Sequence, residues 1–354
     1  MMRMGKPGTL ATAAPWALRG VALAAVALSL LGCHRSNRRA PSEQAQTSTP
    51  DAATGGYDAG PVADAGCDDD DCEACDDGCP QAPFVDIAAG THHTCALDEA
   101  GAVHCWGRDD FGQATAPAEL TGATAITAGE SHSCALDGQG AVRCWGHPGQ
   151  VAVVMGLGSF EVVAAGHQHT CGVDDTGTVG CWGGNQFEQG TVPQNLGAAV
   201  GSVVGVAAGE RHTCVVDSDG VVVCWGSGGW GQGTVPPDLA NTSALAAAAE
   251  HTCALDFAGA VVCWGRDDLG QTDGPATPEP VAAIAGGGQH ACAMDLEGAV
   301  SCWGDNDAGQ LEVPADLAPA IAIAAGASHV CALDATGHIV CWGDNTHGQS
   351  AAPR

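Results

Sequence analysis

Fourteen cysteines fall in seven pairs, every pair ten residues apart: Cys95/Cys105, Cys134/Cys144, Cys171/Cys181, Cys214/Cys224, Cys253/Cys263, Cys292/Cys302 and Cys331/Cys341. Thiols so arranged could close disulfides or hold a soft metal such as zinc. Each pair sits in one pattern, His-x-Cys-x-x-Asp-x-x-Gly-x-x-x-Cys-Trp-Gly, kept at all named positions in all seven copies. The pattern adds a recurrent histidine (His93, His132, His169, His212, His251, His290, His329) and a recurrent tryptophan (Trp106, Trp145, Trp182, Trp225, Trp264, Trp303, Trp342). A second cysteine group, Cys67, Cys72, Cys75 and Cys79, lies with seven acids in 13 residues. It reads either as a cation site or as two local disulfides in an acidic tether. Without ordered ligand spacing the disulfides are the expectation, their pairing left open.

The elements that must position the paired cysteines follow from the turn between them. In Asp98-Glu99-Ala100-Gly101, Asp begins a type I turn and Gly supplies the left-handed residue that closes a three-residue hairpin loop. Counting back from the turn sets Leu97 against Val103, Ala96 against His104 and Cys95 against Cys105. A non-hydrogen-bonded cross-strand pair brings Cα atoms to about 4.5 Å, within disulfide reach. The expectation is seven disulfides, each worth at most about 2–3 kcal/mol by loop entropy. No second close cysteine pair completes a zinc site of the Cys-x-x-Cys type, so no metal and no cofactor are expected.

Successive copies begin 37 to 43 residues apart. After each Cys-Trp-Gly comes a Gly/Asn/Asp-rich loop usually ending Gly-Gln, then a Pro-containing stretch. Short apolar runs such as Ala123–Ile126 or Ile321–Ala325 then lead into the next Ala-Ala-Gly. Read as four short strands per copy, this predicts an all-β, seven-bladed propeller over 84–354, each four-stranded blade carrying one disulfide. The histidines are expected to serve the repeat by hydrogen-bonding the neighbouring blade's backbone, and the tryptophans to fill the core. The glycine of Ala-Ala-Gly would permit close backbone approach. Ala248 replaces it in the fifth copy, which predicts a slightly altered backbone there.

The runs Ala88-Ala89-Gly90, His93-Thr94-Cys95-Ala96-Leu97, Gly101-Ala102-Val103 and Cys105-Trp106-Gly107 resemble the repeat of the regulator of chromosome condensation family. The short period is closest to its bacterial branch, which includes a propeller-type β-lactamase inhibitor. The resemblance spans 84–354 and implies the propeller fold. It leaves function open, because propellers host unrelated activities.

The N-terminus reads as an address. Arg3, Lys6 and Arg19 precede a 12-residue apolar run, Gly20 to Leu31, too short to span a bilayer as a helix. It ends Leu30-Leu31-Gly32-Cys33, which resembles a bacterial lipobox and implies cleavage before Cys33 and lipidation of that residue. Residues 1–32 are thus expected to be a lipoprotein signal peptide. Residues 33–83 would be a disordered stalk, poor in apolar residues and rich in Ala, Pro, Ser, Thr, Gln, Asp and Gly. His34 after the cysteine favours outer-membrane sorting, on the periplasmic or the surface side.

Charge excludes one class of partner. The chain carries a formal −30 with Lys6 its only lysine, and residues 84–354 hold five Arg, no Lys and 30 Asp/Glu, a net −25. Such a surface cannot replace the counterions of a nucleic acid. Guanine-nucleotide exchange, the activity of the family's eukaryotic founder, is disfavoured by export and by the missing basic face.

Function is expected where the copies differ. Five residues after the core tryptophans stand Phe111, Gln150, Phe187, Trp230, Leu269, Ala308 and His347, with Gln150 displaced by a shortened second copy. Phe111, Phe187, Trp230 and Leu269 would form an apolar arc on one face, rimmed by Asp109, Asp110, Glu188, Asp267 and Asp268. The competing reading folds these side chains inward as loop plugs. The resulting expectation is an envelope-anchored, monomeric, non-enzymatic scaffold that binds a protein, or a glycan, through the arc. The alternatives are a structural or cation-binding surface protein, and a hydrolase or lyase with a site at the channel mouth. No Gly-x-Ser-x-Gly, His-Glu-x-x-His or phosphate-loop motif supports the last.

Overall fold

A computed structural model describes residues 82–153, 156–275 and 280–353. The expected signal peptide, Cys33 and the Cys67–Cys79 cluster lie outside the described residues. Each copy of the repeat forms one three-stranded antiparallel sheet. In blade 1 the strands are β1 (Phe84–Ala89), β2 (His93–Asp98) and β3 (Val103–Gly107), hydrogen-bonded in that order. The same trio recurs over 123–146, 160–183, 203–226, 242–265, 281–304 and 320–343, making blades 2 to 7. Among the described residues no helix is long and apolar enough to cross a membrane.

The four-stranded blade expected from the sequence is corrected to three. The apolar run and the Ala-Ala-Gly that follows it are not two strands but one, Ala123–Ala128 in blade 2 and Ala320–Ala325 in blade 7. A bulge near its start absorbs one residue: Phe84 pairs with Asp98 and Asp86 with Leu97, leaving Val85 extra. The Pro- and Gly-containing segment before it forms turns rather than a strand.

The hairpin between β2 and β3 has the register derived from its turn. Cys95 faces Cys105, Ala96 faces His104 and Leu97 faces Val103. The Asp98 N–H donates to Ala102 O at 3.0 Å, the Asp98 carboxylate accepts the Ala100 and Ala102 N–H groups, and Gly101 has φ +82°.

All seven expected disulfides are present: Cys95–Cys105, Cys134–Cys144, Cys171–Cys181, Cys214–Cys224, Cys253–Cys263, Cys292–Cys302 and Cys331–Cys341. Their Cα separations are 4.0–4.1 Å, closer than the roughly 4.5 Å expected of the cross-strand pair. The two cysteines of a bridge are not equivalent. The first, on the central strand of its sheet, is buried in every blade. The second (Cys105, Cys144, Cys181, Cys224, Cys263, Cys302, Cys341) is only half-buried, because it sits on the third strand, an edge strand covered on one side alone. Spacing alone does not distinguish them.

Seven such sheets close into a ring by packing face against face. Phe84 and Ile87 of blade 1 pack with Leu333 and Ile339 of blade 7, so the last sheet meets the first without exchanging a strand. Around the axis the backbones nearly touch. The Thr91 N–H donates to Gly129 O of the next blade at 3.0 Å, and a Cβ on Gly90 would collide with that carbonyl and with the His93 ring. Ala248 keeps the local turn bond, 3.0 Å to His251 O, while the bond that follows it, Ala249 N–H to blade 6, lengthens to 3.3 Å and splits between Gly287 and Gly288. The same split occurs in blade 6, where the Gly288 N–H that follows Gly287 reaches both Gly326 O and Ala327 O at 3.1 Å, so the split does not follow from the alanine.

The register also defines two ends of the ring. Phe84, Asp98 and the hairpin turns lie at one end, the turn face. His93, Gly107 and the loops after each Trp-Gly lie at the other, the loop face. The chain enters on the turn face, where Pro83 O accepts the Glu99 N–H at 3.1 Å.

Candidate binding face

Six of the seven loops on the loop face are held by the glutamine that ends them. In blade 1 the buried Gln113 accepts the Phe111 N–H on its Oε1 at 2.9 Å. Gln189, Gln232, Gln271, Gln310 and Gln349 do the same for Phe187, Trp230, Leu269, Ala308 and His347. The backbone carbonyl of the same glutamine reaches the next blade. Gln113 O accepts the Trp145 Nε1–H at 3.0 Å and the Ser133 hydroxyl at 2.9 Å. One residue thus fixes the loop tip and latches two blades, a role visible in the sequence only as the recurrent Gly-Gln.

The histidines complete the latch. His93 Nε2 lies 2.8 Å from Ser133 Oγ. Because that hydroxyl spends its hydrogen on Gln113 O, the imidazole must be the Nε2–H tautomer and donate. Equivalent chains run His169–Thr213–Gln189, His212–Thr252–Gln232 and His329–Thr94–Gln349. The expected partner was the neighbouring blade's backbone. The structure places a side-chain hydroxyl between, because the imidazole stops one hydroxyl short of the next loop's carbonyl. All seven rings are buried, and burial pushes His93 and His169 down to about 3 and the other five to about 4, with neighbouring histidines adding to the effect in most of them. All seven are held neutral, and five of them make the hydroxyl contact, while His251 and His290 have no side-chain partner among the described residues. Among the described residues no three His, Cys, Asp or Glu side chains gather as a metal site. Five of the seven tryptophans are buried, while Trp106 and Trp225 are half-buried.

The four arc residues point outward, which removes the inward-plug reading: Phe111 is 46%, Phe187 41%, Trp230 54% and Leu269 44% exposed. Each aromatic leans on the next blade. Phe111 meets the His147 ring edge-on at 4.7 Å, Arg211 lies 4.8 Å over Phe187, and Arg266 lies 5.0 Å over Trp230. Gln150 does not belong to the arc. It is buried, occupies the Gly-Gln position, and accepts on Oε1 from His132 Nδ1 at 3.1 Å. The shortened second copy therefore leaves a gap between Phe111 and Phe187.

The acids expected to rim the arc are largely engaged within their own loops. Asp109 accepts the Ala114 N–H and the Thr115 hydroxyl, and Asp267 accepts the Thr272 N–H. Asn185, Asn306 and Asn345 close their loops in the same way. Asp110 pairs with Arg108 at 2.6 Å, and Asp268 with Arg266, which Glu250 also holds at 2.6 Å. The hydrogen bond to Asp268, then that to Glu250, pushes the Arg266 guanidinium further up, keeping it charged beneath Trp230.

Within the arc opens the axial channel, a cavity of about 500 Å³ walled by the Ala-Ala-Gly segments, with Thr91, His167, Glu210, Asp305, Asp307 and Ser328 at its mouth. Among the described residues no hydrogen bond joins Thr91 or Ser328 to a histidine.

No curated protein sequence matches the chain. The CRINKLY WD40 ectodomain of the Arabidopsis thaliana receptor kinase ACR4 is similar in structure at 24% identity and a TM-score of 0.58, over 74% of this chain and 96% of that one. The entire ectodomain of the Physcomitrella patens receptor kinase CR4 is similar at 24% identity and a TM-score of 0.61, over 74% and 73%. Prp20p from Saccharomyces cerevisiae, described with its binding to Gsp1p and histones, is similar at 20% identity and a TM-score of 0.59, over 69% and 80%. At these identities the likeness is one of fold. The repeat itself is matched seven times, at 84–113, 123–150, 161–189, 203–232, 243–271, 281–310 and 320–349, more than half of the sequence, and the chain belongs to the Regulator of chromosome condensation (RCC1) repeat family.

Proposed function

We propose that this chain is a non-enzymatic, envelope-anchored scaffold that binds a protein partner through its loop face. The carrying observation is the arc of Phe111, Phe187, Trp230 and Leu269, exposed side chains on loops held rigid by buried glutamines. Exposed Trp and Phe beside Arg make up the composition of protein-binding hot spots, and prior ordering lowers the entropic cost of docking. The chain enters at Pro83 on the opposite face, so a tether fixed at Cys33 would leave the arc free to meet a partner. Prp20p, described as binding Gsp1p and histones, supports protein recognition as one use of this fold.

The test is affinity capture of envelope and secreted proteins on the full chain, against a variant carrying Phe111→Ala, Phe187→Ala and Trp230→Ala. A protein retained by the native chain and lost from the variant establishes the reading and its face. Equal retention, or no capture, removes the arc and leaves a structural or glycan-binding role. Metabolic labelling with a radioactive fatty acid, abolished by Cys33→Ser, tests the anchor.

A further inference from the structure

The turn face carries exposed apolar side chains of its own, and they are gathered in one sector. Among the described residues Val85, Val221, Phe257, Leu296 and Ile321 are the large apolar side chains exposed there, in blades 1, 4, 5, 6 and 7. Blades 2 and 3 have Thr124 and Glu161 where blades 1 and 7 have Val85 and Ile321. They have Gly138 and Asp175 where blades 5 and 6 have Phe257 and Leu296.

Phe257 and Leu296, 62% and 69% exposed, are barer than any side chain of the arc. Each is the second residue of its hairpin turn. Turn chemistry does not ask for them, since Glu99, Gly138, Asp175 and Ser218 fill that position in blades 1 to 4. Both turns are braced. The Asp256 carboxylate accepts the Ala258 and Ala260 N–H groups, and Asp295 accepts those of Glu297 and Ala299. The two hairpins share one register, so their tips project from their sheets in the same direction.

The chain enters this same sector. Pro83 O accepts the Glu99 N–H of the blade 1 turn, and a Cβ on Gly337 in the blade 7 turn would collide with Pro83. Residues 34–82, 49 in all, separate this point from Cys33 and even fully extended reach no more than about 180 Å. An anchor at Cys33 therefore holds the domain close to a bilayer by the face that bears the bare Phe and Leu.

Resting on the envelope anchor proposed above, we infer that the blade 4 to blade 1 sector of the turn face inserts its apolar tips, Phe257 and Leu296 foremost, into the surface of a lipid bilayer. A bilayer is flat and takes side chains from separate blades without a matching shape. With a net −25 on residues 84–354 the attachment is apolar rather than electrostatic, so the lipid it fits is neutral. Docked in this way, the ring turns the arc of Phe111, Phe187 and Trp230 away from the membrane.

The experiment uses the full chain with Cys33→Ser, so that no lipid on that residue contributes, and phosphatidylcholine vesicles at millimolar lipid as the probe. This parent chain should float with the vesicles. Phe257→Ser/Leu296→Ser should weaken flotation at least about tenfold, with an unchanged melting temperature because both side chains stand in solvent. The Phe111→Ala/Phe187→Ala/Trp230→Ala variant should float like its parent, and mixed phosphatidylcholine/phosphatidylglycerol vesicles should retain less protein. A second measurement leaves the patch intact. With 4-fluorophenylalanine at the five phenylalanines, spin-labelled phosphatidylcholine should broaden the Phe257 fluorine signal and spare those of Phe111 and Phe187. The proposal is overturned if the parent does not float, if the double variant floats equally, if the loop-face signals broaden in place of Phe257, or if retention requires phosphatidylglycerol. A dimer that the double variant splits, without flotation, also overturns it and gives the patch to a second copy. Failure of the anchor shows instead in fatty-acid labelling of the native chain, so the two readings fail separately.

Discussion

The histidine latch between blades 1 and 2 and the one between blades 6 and 7 differ by one side chain. In the first, His93 donates to Ser133, which donates to Gln113 O, and Trp145 donates to the same carbonyl. In the second, Val330 stands where Ser133 stands, and His290 Nε2 is buried without a partner. The interface between blades 5 and 6 has the same defect, with Ala291 facing the unpartnered His251 Nε2. Blade 6 is thus held on both sides by tryptophan latches and apolar packing, without the histidine chain. A buried donor left unsatisfied costs about 1–3 kcal/mol, so these two interfaces are weak seams of the ring, as is the one between blades 2 and 3, where Trp182 Nε1 is buried without a partner. A symmetric repeat need not give symmetric stability.

Acid should break both kinds of interface and gives the largest effect. Each buried histidine has an ordinary value of 6.5 and a folded value of about 3 or 4. Below 6.5 the unfolded chain binds protons that the folded ring refuses. Stability is therefore full above about 6.5, falls as pH drops toward 4, and levels off below the folded values. With about 1.4 kcal/mol per pH unit available from each group, the loss should reach several kcal/mol by pH 5. Thermal unfolding between pH 7.5 and 4.5 reads it, and a flat melting temperature would refute the neutral-histidine assignment.

Asp86 works in the opposite direction. Burial pushes its carboxyl up to about 7, against hydrogen bonds from the Ile87 and Ile126 backbones that lower it. The folded ring holds this proton more tightly than the unfolded chain, so its contribution is present below about 3.8 and is lost as pH rises toward 7. Asp86→Asn should raise stability at pH 8 by about 1–2 kcal/mol and lose that advantage at pH 4. Denaturant titration of both proteins at the two pH values compares them.

Breaking a sound latch comes next. Ser133→Ala strands the His93 Nε2–H and should cost about 1–3 kcal/mol. The converse change repairs a seam: Val330→Thr offers His290 an acceptor and Gln310 O a donor in nearly the same volume. It should gain about 0.5–1.5 kcal/mol, seen as a higher denaturant midpoint with an unchanged slope. Should Val330→Thr instead destabilise, packing rather than the missing hydroxyl governs that seam. Smallest of all is the effect of Trp230→Ala on folding, within about ±0.5 kcal/mol, since its ring is half in solvent.

Some of this protein was settled by residue spacing alone. Ten residues between cysteines and an Asp-x-x-Gly turn between them permit one hairpin register, so Cys95 opposite Cys105 needed nothing beyond the chain. The family and the seven repeats followed from the same pattern. The count of strands did not, because a run such as Ala320–Ala325 is short and uniformly apolar. Periodicity cannot divide such a run or refuse to divide it. The histidine's hydroxyl partner lies 40 residues away in the next blade, and the glutamine carbonyl that completes the latch is backbone, which carries no side-chain signature. Glu250 and Asp305 look equally acidic in the sequence. Only the tertiary structure set the first against Arg266 at 2.6 Å and left the second, among the described residues, without a cationic partner.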